Sequence, residues 1–157
     1  MSLDPFSVIL AVSTASFFLA VYFLFLLYWD RNRRTQVLRR VNLDQLDGAA
    51  FETFVADLLT QRGYRVQQIG KPGDLGVDLI AEKRPYRFAV QAKRQSQPVS
   101  RRAVSDAVAG KAHYNCNAAM VITNNFFSVG AHELAHSNGC KLVDRNTLAD
   151  WMLESSR

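Results

Sequence analysis

Cysteine is scarce in this chain of 157 residues, with only Cys116 and Cys140 present. Two thiols make no disulfide scaffold, and no spaced pairs of metal-ligating cysteines exist, so a finger-type zinc module is excluded. Both cysteines are expected as reduced thiols near the starts of two strands. There are no internal repeats and no low-complexity segments. Neither a Walker-type phosphate loop nor a Gly-x-Ser-x-Gly nucleophile elbow occurs, which removes P-loop and α/β-hydrolase chemistry. The most informative absence is charge. Phe6 to Trp29 carries none, and no Lys or Arg precedes Arg31. A bilayer core needs about 20 apolar residues in a helix, and this run is long enough. A cleaved signal peptide has a shorter apolar region of about 7–15 residues, basic residues in front and small residues behind. Here Asp4 is the sole preceding charge and bulky Leu26-Leu27-Tyr28-Trp29 ends the run. An uncleaved anchor is expected, with Tyr28 and Trp29 in the interfacial belt.

All 19 Lys and Arg residues lie on one side of that run, and Arg31, Arg33, Arg34, Arg39 and Arg40 follow it at once. The positive-inside rule then sets the N-terminus outside and the remainder in the cytoplasm. Five Arg against Asp30 account for most of the net charge of +5. Topology and contact with anionic lipid explain them, so the basic balance by itself says little about nucleic acid. The expected division is residues 1–29 as tail and anchor, 30–46 as a basic juxtamembrane linker or helix, and 47–157 as one domain.

Periodicity gives that domain its class. Phe51, Phe54, Val55, Leu58 and Leu59 recur at helical spacing over residues 49–62, with Asp47 as cap and Gly63 as stop. Residues 64–69, 77–82 and 87–94 read as strands, the last two joined by a turn at Arg84-Pro85-Tyr86. In both, one apolar face (Val77, Leu79, Ala81; Phe88, Val90, Ala92) alternates with a face carrying the polar set. Residues 100–114 suit a helix with Ser100 as cap, 118–123 a buried strand, 128–138 a helix ended by Gly139, and 141–144 a short strand. A final helix, capped by Asn146, runs to about Glu154. The sum is an α/β domain.

Chemistry concentrates between residues 73 and 93. A glycine turn leads to Asp78, and Gln91 and Lys93 point to one side of the next strand. A carboxylate, an amide oxygen and an ammonium on one sheet face suit a hard divalent cation and a phosphate. Phosphodiester hydrolysis needs such a cation, a positioned water and charge stabilisation. The carbonyl of residue 92 is a further oxygen. Glu52 lies about 100° around its helix from Phe51, either an exposed charge or a second carboxylate reaching toward Asp78. The plain reading makes Asp78 a turn residue and Lys93 a solvated charge. Arg101 and Arg102 open a helix, the poor end for cations, an arrangement that suits anion binding.

Gly48-Ala49-Ala50-Phe51-Glu52, Gly63-Tyr64, Gly73-Asp74-Leu75-Gly76-Val77-Asp78 and Val90-Gln91-Ala92-Lys93 together resemble the Mrr-like restriction endonuclease domain of the PD-(D/E)xK nuclease superfamily. The resemblance continues through Val121-Ile122-Thr123-Asn124, Ala131, Ala135 and Leu142-Val143-Asp144. It implies a restriction-endonuclease-like core, a mixed sheet of about five strands between helices. It implies Mg²⁺ or Mn²⁺ at Asp78, Gln91 and Glu52, with Lys93 as the catalytic lysine and Asp74 in support. Gln91 stands where the superfamily usually has Glu or Asp. DNA is the implied partner, contacted through phosphates by Lys71, Arg94, Arg101 and Arg102 with little base reading. The lipid bilayer and, as a compatible assembly, a homodimer are further partners, and no organic cofactor is implied. Two rivals remain: a catalytically weak binding module on the same fold, and a zinc protease through His132-Glu133-Leu134-Ala135-His136. The protease reading needs a third ligand, for which Glu154 is the available acid. It also needs His132 and His136 on the inner face, which Ala131, Leu134 and Ala135 fill better.

Overall fold

The computed structural model describes residues 4–69 and 76–155. Helix α1 runs without a break over Pro5–Val41, 37 residues, with proline at its first position, where a missing N–H costs nothing. Its large apolar side chains from Phe17 to Trp29 are exposed. Ser13–Arg39 is long and apolar enough to cross a membrane by length and composition. The contacts divide the chain into Met1–Gln36 and Val37–Arg157. Within the second unit, residues 37–46, part of the stretch read from sequence as a linker or helix, bury Leu38 and Leu43 in the core.

That unit comprises α2 (Gly48–Gln61), β1 (Arg65–Gln68), β2 (Leu79–Lys83), β3 (Tyr86–Lys93), α3 (Arg101–His113), β4 (Ala118–Thr123), α4 (Val129–Asn138), β5 (Cys140–Val143) and α5 (Arg145–Ser155). The strands form one sheet in chain order. β1, β2 and β3 make an antiparallel meander. β3, β4 and β5 are parallel, with α3 and α4 as the crossovers that parallel pairing requires. The result is the restriction-endonuclease-like mixed sheet between helices that the sequence implied.

Helices α2 and α5 cover one face. Phe51, Val55 and Leu59 of α2 and Leu148 and Trp151 of α5 meet Leu79, Val90 and Ile122 there. Helices α3 and α4 cover the other, where Val104, Ala107, Ala131 and Ala135 lie on Ala119 and Val121. With both faces covered, β3 and β4 are buried throughout their centres. The expected alternation needs one correction. Val77 joins Ile80 and Ala89 in a small third cluster rather than Leu79 and Ala81. Regular pairing begins only at Leu79, and the left-handed Gly76 (φ 75°) before it breaks the period of two.

Asp47 caps α2 as expected, accepting from the Ala50 N–H at 2.7 Å, and Gly139 ends α4 in the left-handed region. Two caps differ from the sequence reading. Ser100 makes no side-chain cap bond. Asn146 lies inside α5, whose cap is Asp144, accepting from the Thr147 N–H and hydroxyl at 2.8 Å. Both cysteines are free thiols beside strand starts. Burial raises the pKa of both, that of Cys140 to about 11, so they stay protonated at neutral pH.

Candidate active site

Asp78 precedes β2 and is tied into the sheet through its main chain and side chain. Its N–H donates to the Val90 carbonyl at 2.9 Å and its carbonyl accepts from the Ile69 N–H at 2.9 Å. Its Oδ2 accepts from the Ala92 N–H at 2.7 Å. The carboxylate thus takes the ladder position that β2 leaves vacant, and an amide that must have a partner holds it against β3. Continuing the Leu79–Val90 register by one residue sets Asp78 across from Gln91. Glu52 of α2 is half-buried and shares a cleft of about 320 Å³ with Asp78, lined also by Ala49, Thr53, Gln68 and Ile69. Glu52 and Asp78 thus border one cleft, the placement that the second of the two sequence alternatives for Glu52 requires.

Gln91 is 2% exposed, and its Oε1 has no hydrogen-bond partner. An unpaired buried amide oxygen costs about 1–3 kcal/mol, so it marks a place where a ligand would be welcome. Its Nε2 lies against Gly76. A Cβ built on that glycine would fall 3.1 Å from Nε2 and 2.8 Å from the Cβ of Asp106 on α3. Gly76 is therefore required twice, by its positive φ and by this close approach. Asp106 was missed in the sequence. Its only signal is position: it sits on the inward side of α3, three residues after buried Ala103 and four before buried Gly110. Lys93 ends β3, half-buried, on the same side of the strand as Gln91. Its carbonyl accepts from the Thr123 hydroxyl at 2.6 Å, which fixes the strand end to β4. Among the described residues Lys93 enters no ion pair.

The oxygens of Asp78, Gln91 and Ala92 are hard donors, and Mg²⁺ is held by one or two carboxylates while keeping waters. The unpartnered Oε1 of Gln91 gives this donor set a fit to such a cation.

The other expected residues are more dispersed. Arg101 and Arg102 are exposed in the first turn of α3, which has no acidic residue. Arg94 donates to the Asp44 carbonyl, so part of its guanidinium is already engaged. Lys71 and Asp74 lie outside the described residues. Arg94 borders a second cleft of about 380 Å³ with Asp44, Asn124 and Arg145. There both terminal nitrogens of Arg145 grip the Asp44 carboxylate at 2.7 and 2.9 Å. The hydrogen bond from Arg145 holds that carboxyl below its ordinary value, with Asn124 assisting and partial burial opposing.

His132, Glu133 and His136 are exposed on α4, and Glu154 is paired with Arg62 at 2.6 Å. Among the described residues no three His, Cys, Asp or Glu side chains converge to hold a metal. The zinc-protease reading therefore lacks its third ligand.

Residues 43–152 match the family model Mrr_cat, described as restriction endonuclease. No curated protein matches the chain. Among solved structures, the modification-dependent restriction endonuclease AspBHI shares the fold with a TM-score of 0.60 at 18% identity over 81% of this chain. The MspJI restriction endonuclease, solved with a 27-mer oligonucleotide, gives 0.55 at 18% over 78%. A protein of unknown function, AF1548, gives 0.54 at 21% over 67%. The matches span 35, 31 and 64% of those chains respectively.

Proposed function

Because the chain belongs to the Mrr_cat restriction endonuclease family, we propose that it hydrolyses DNA phosphodiester bonds with a divalent cation, Mg²⁺ or Mn²⁺, while held at a membrane by α1. The observation that carries this reading is the buried, unpartnered Gln91 oxygen opposite Asp78 and two residues before Lys93. Asp78, Gln91 and the Ala92 carbonyl would hold the cation, with Glu52 as a second carboxylate. Held there, the cation would supply Lewis acidity toward the phosphoryl group and toward water. Lys93, with no competing ion pair among the described residues, orients the attacking water or holds the phosphate. Asp78, fixed by the Ala92 amide, keeps its position without reorganisation. Arg101 and Arg102 present cations beyond the site for backbone contact, which makes binding salt-sensitive and largely independent of sequence.

For α1, the exposed apolar run and the arginines after it support a single span with the N-terminus outside and residues 47–157 in the cytoplasm as the nuclease domain. Cleavage would then be confined to DNA near the membrane, which suits restriction of incoming DNA. Co-flotation of the full chain with lipid vesicles after an alkaline carbonate wash tests the anchor. Recovery in the wash supernatant overturns it.

A second reading, a catalytically weak DNA- or protein-binding module, is favoured by the neutral Gln91 where a carboxylate would bind metal more tightly. The deciding experiment uses the full chain in detergent micelles on methylated and unmethylated duplex, with and without Mg²⁺, beside Lys93→Ala. Metal-dependent cleavage that falls about 10²–10⁴-fold in the variant is expected. Cleavage absent in the parent, or intact in Lys93→Ala, rejects the mechanism.

A further inference from the structure

The sheet face packed by α2 and α5 continues beyond its buried centre. Lys83, Tyr86, Phe88 and Lys141 share the alternation of Leu79, Val90 and Val143 on their strands, so they point to that face. Lys83 is paired directly with Tyr86. There the face opens into a cleft of about 470 Å³, lined in part by Tyr64, Lys83, Arg84, Tyr86, Phe88 and Lys141. Asp78 precedes β2 and Lys93 ends β3 at the other end of the sheet, so on the order of 20 Å of strand separates the cleft from the candidate active site.

Aromatic rings and cations line this cleft, with no acid among its described residues. Phe88 is buried, and its ring centroid lies 6.1 Å from that of Tyr64 and 5.6 Å from that of Tyr86. Tyr86 is 55% exposed. The Lys83 ammonium lies 5.3 Å from the Tyr64 ring centroid. Lys141 and Arg62 both lie over the Trp151 ring, at 5.1 and 4.6 Å. Among the described residues Lys83, Arg84 and Lys141 enter no ion pair. Glu82, next to Lys83, points to the opposite face and pairs with Arg65 and Arg87, while Glu154 pairs with Arg62. Partial burial, and then the charges of Arg62 and Lys83, hold the Lys141 ammonium below its ordinary pKa. Cations gathered without a counter-charge repel one another, a cost that a bound anion removes.

We propose that this cleft binds a nucleotide, its base stacked on Tyr86 and its phosphate held by Lys83, Arg84 and Lys141. Such a site stands whether or not the chain cuts DNA. A bare anion would use the cations and leave the exposed ring idle, and an apolar ligand would leave three cations unmatched. A nucleotide uses both, since every base has a face that stacks on an aromatic ring and a phosphate takes charge-assisted hydrogen bonds from Lys and Arg. The volume falls within the range of about 300–1,000 Å³ common for small-ligand clefts. A base inside a duplex is already stacked and does not present its face, so the ligand is either a free nucleotide or one unit of a single strand.

The test is equilibrium binding by microscale thermophoresis of the full chain in detergent micelles, without divalent metal. The probes are adenosine 5′-monophosphate, a short oligodeoxyadenylate and inorganic phosphate. Binding of the monophosphate alone identifies a free nucleotide, and binding of the strand identifies a nucleotide within a chain. For whichever binds, Tyr86→Ala is expected to weaken affinity about 5- to 100-fold and Tyr86→Phe to keep it. Lys141→Gln should weaken it too and, on the strand, lower the log–log salt slope by about 0.7. Circular dichroism melting establishes that each variant folds. Tyr86→Leu, which keeps an apolar contact with Phe88 and removes the ring, replaces Tyr86→Ala if that variant does not. A parent that binds neither nucleotide probe, or binds inorganic phosphate as tightly, overturns the proposal. So does unchanged affinity in Tyr86→Ala, or binding that is lost in Lys93→Ala instead, which would put the ligand at the candidate active site.

Discussion

Asn124 and Gln91 are both buried amides, 4% and 2% exposed, yet their surroundings treat them in opposite ways. The Asn124 Nδ2 donates to the Asp44 carboxylate at 2.9 Å and its Oδ1 accepts from the Gln95 N–H at 2.9 Å. Its carbonyl accepts from Arg145, which also grips Asp44. The Gln91 Oε1 accepts nothing. Buried polar atoms in folded proteins are nearly always paired, so the exception is informative. A satisfied amide joins segments, here the stretch before α2, the end of β3, the end of β4 and the start of α5. An unsatisfied one stores a bond for something that arrives later. On this basis the Asn124 cluster is a clamp and the Gln91 cluster is the proposed site, although both border clefts.

The largest effect that sharpens the contrast belongs to Asp78→Asn. The amide still offers an oxygen to the Ala92 N–H, so the sheet closes, while the charge that would hold the cation is lost. Single-turnover cleavage is expected to fall at least about 10²–10³-fold, with a melting temperature near the parent's. An active variant would remove Asp78 from the site. Asn124→Ala should do the reverse. It strips the Gln95 N–H and the Asp44 carboxylate of a partner at once, and a loss of about 2–3 kcal/mol in unfolding free energy is expected, with cleavage per folded molecule retained. Chemical denaturation beside an activity titration checks this. A stable Asn124→Ala would deny it the role of clamp.

Much of this was legible in the sequence, for identifiable reasons. Element types followed from long periodic runs such as Phe51 to Leu59, and the capping of α2 from the short polar reach of Asp47. Asp78, Gln91 and Lys93 stood out because strand alternation fixes which side chains share a face. The closeness of Asp106 to Gly76 and Gln91 did not, because it depends on α3 packing back over β3, which residue spacing does not show. The clamp was equally hidden: Asp44 lay in what read as a juxtamembrane linker or helix, 101 residues from Arg145. Val77 was assigned to the wrong face because the turn at Gly76 shifts the period. The cap of α5 moved from Asn146 to Asp144 because both types cap helices, and two residues are within the ordinary error of a helix start.

Gln91→Met breaks the comparison in a subtler way. Methionine fills a similar volume without an orphaned oxygen, so the metal-free protein should melt at the same temperature or somewhat higher, by up to about 1 kcal/mol in stability. Added Mn²⁺ should raise the melting temperature of the parent but not of the variant. Destabilisation of the metal-free Gln91→Met by several kcal/mol would mean that the amide is already satisfied, and that the site reading rests on the wrong atom.

The smallest effect concerns pH, and it is read from the Arg145–Asp44 pair of the clamp. Arg145 holds the Asp44 carboxyl below its ordinary value of 3.8, so the folded chain releases this proton at a lower pH than the unfolded chain does. The group therefore stabilises the fold above the unfolded value, and that contribution fades as pH falls below 3.8 through the lower folded one. Asp44 is largely exposed, so water screens the pair and its contribution is at most about 1 kcal/mol. Asp44→Asn keeps a carbonyl for Asn124 and loses the charge. It should be slightly less stable than the parent at neutral pH, and the gap should close as the solution is acidified below 3.8. Urea midpoints for the two proteins across that range measure it. A gap that persists undiminished in acid would mean that Asp44 holds Arg145 through shape and hydrogen bonding rather than charge, and the clamp would then be insensitive to pH.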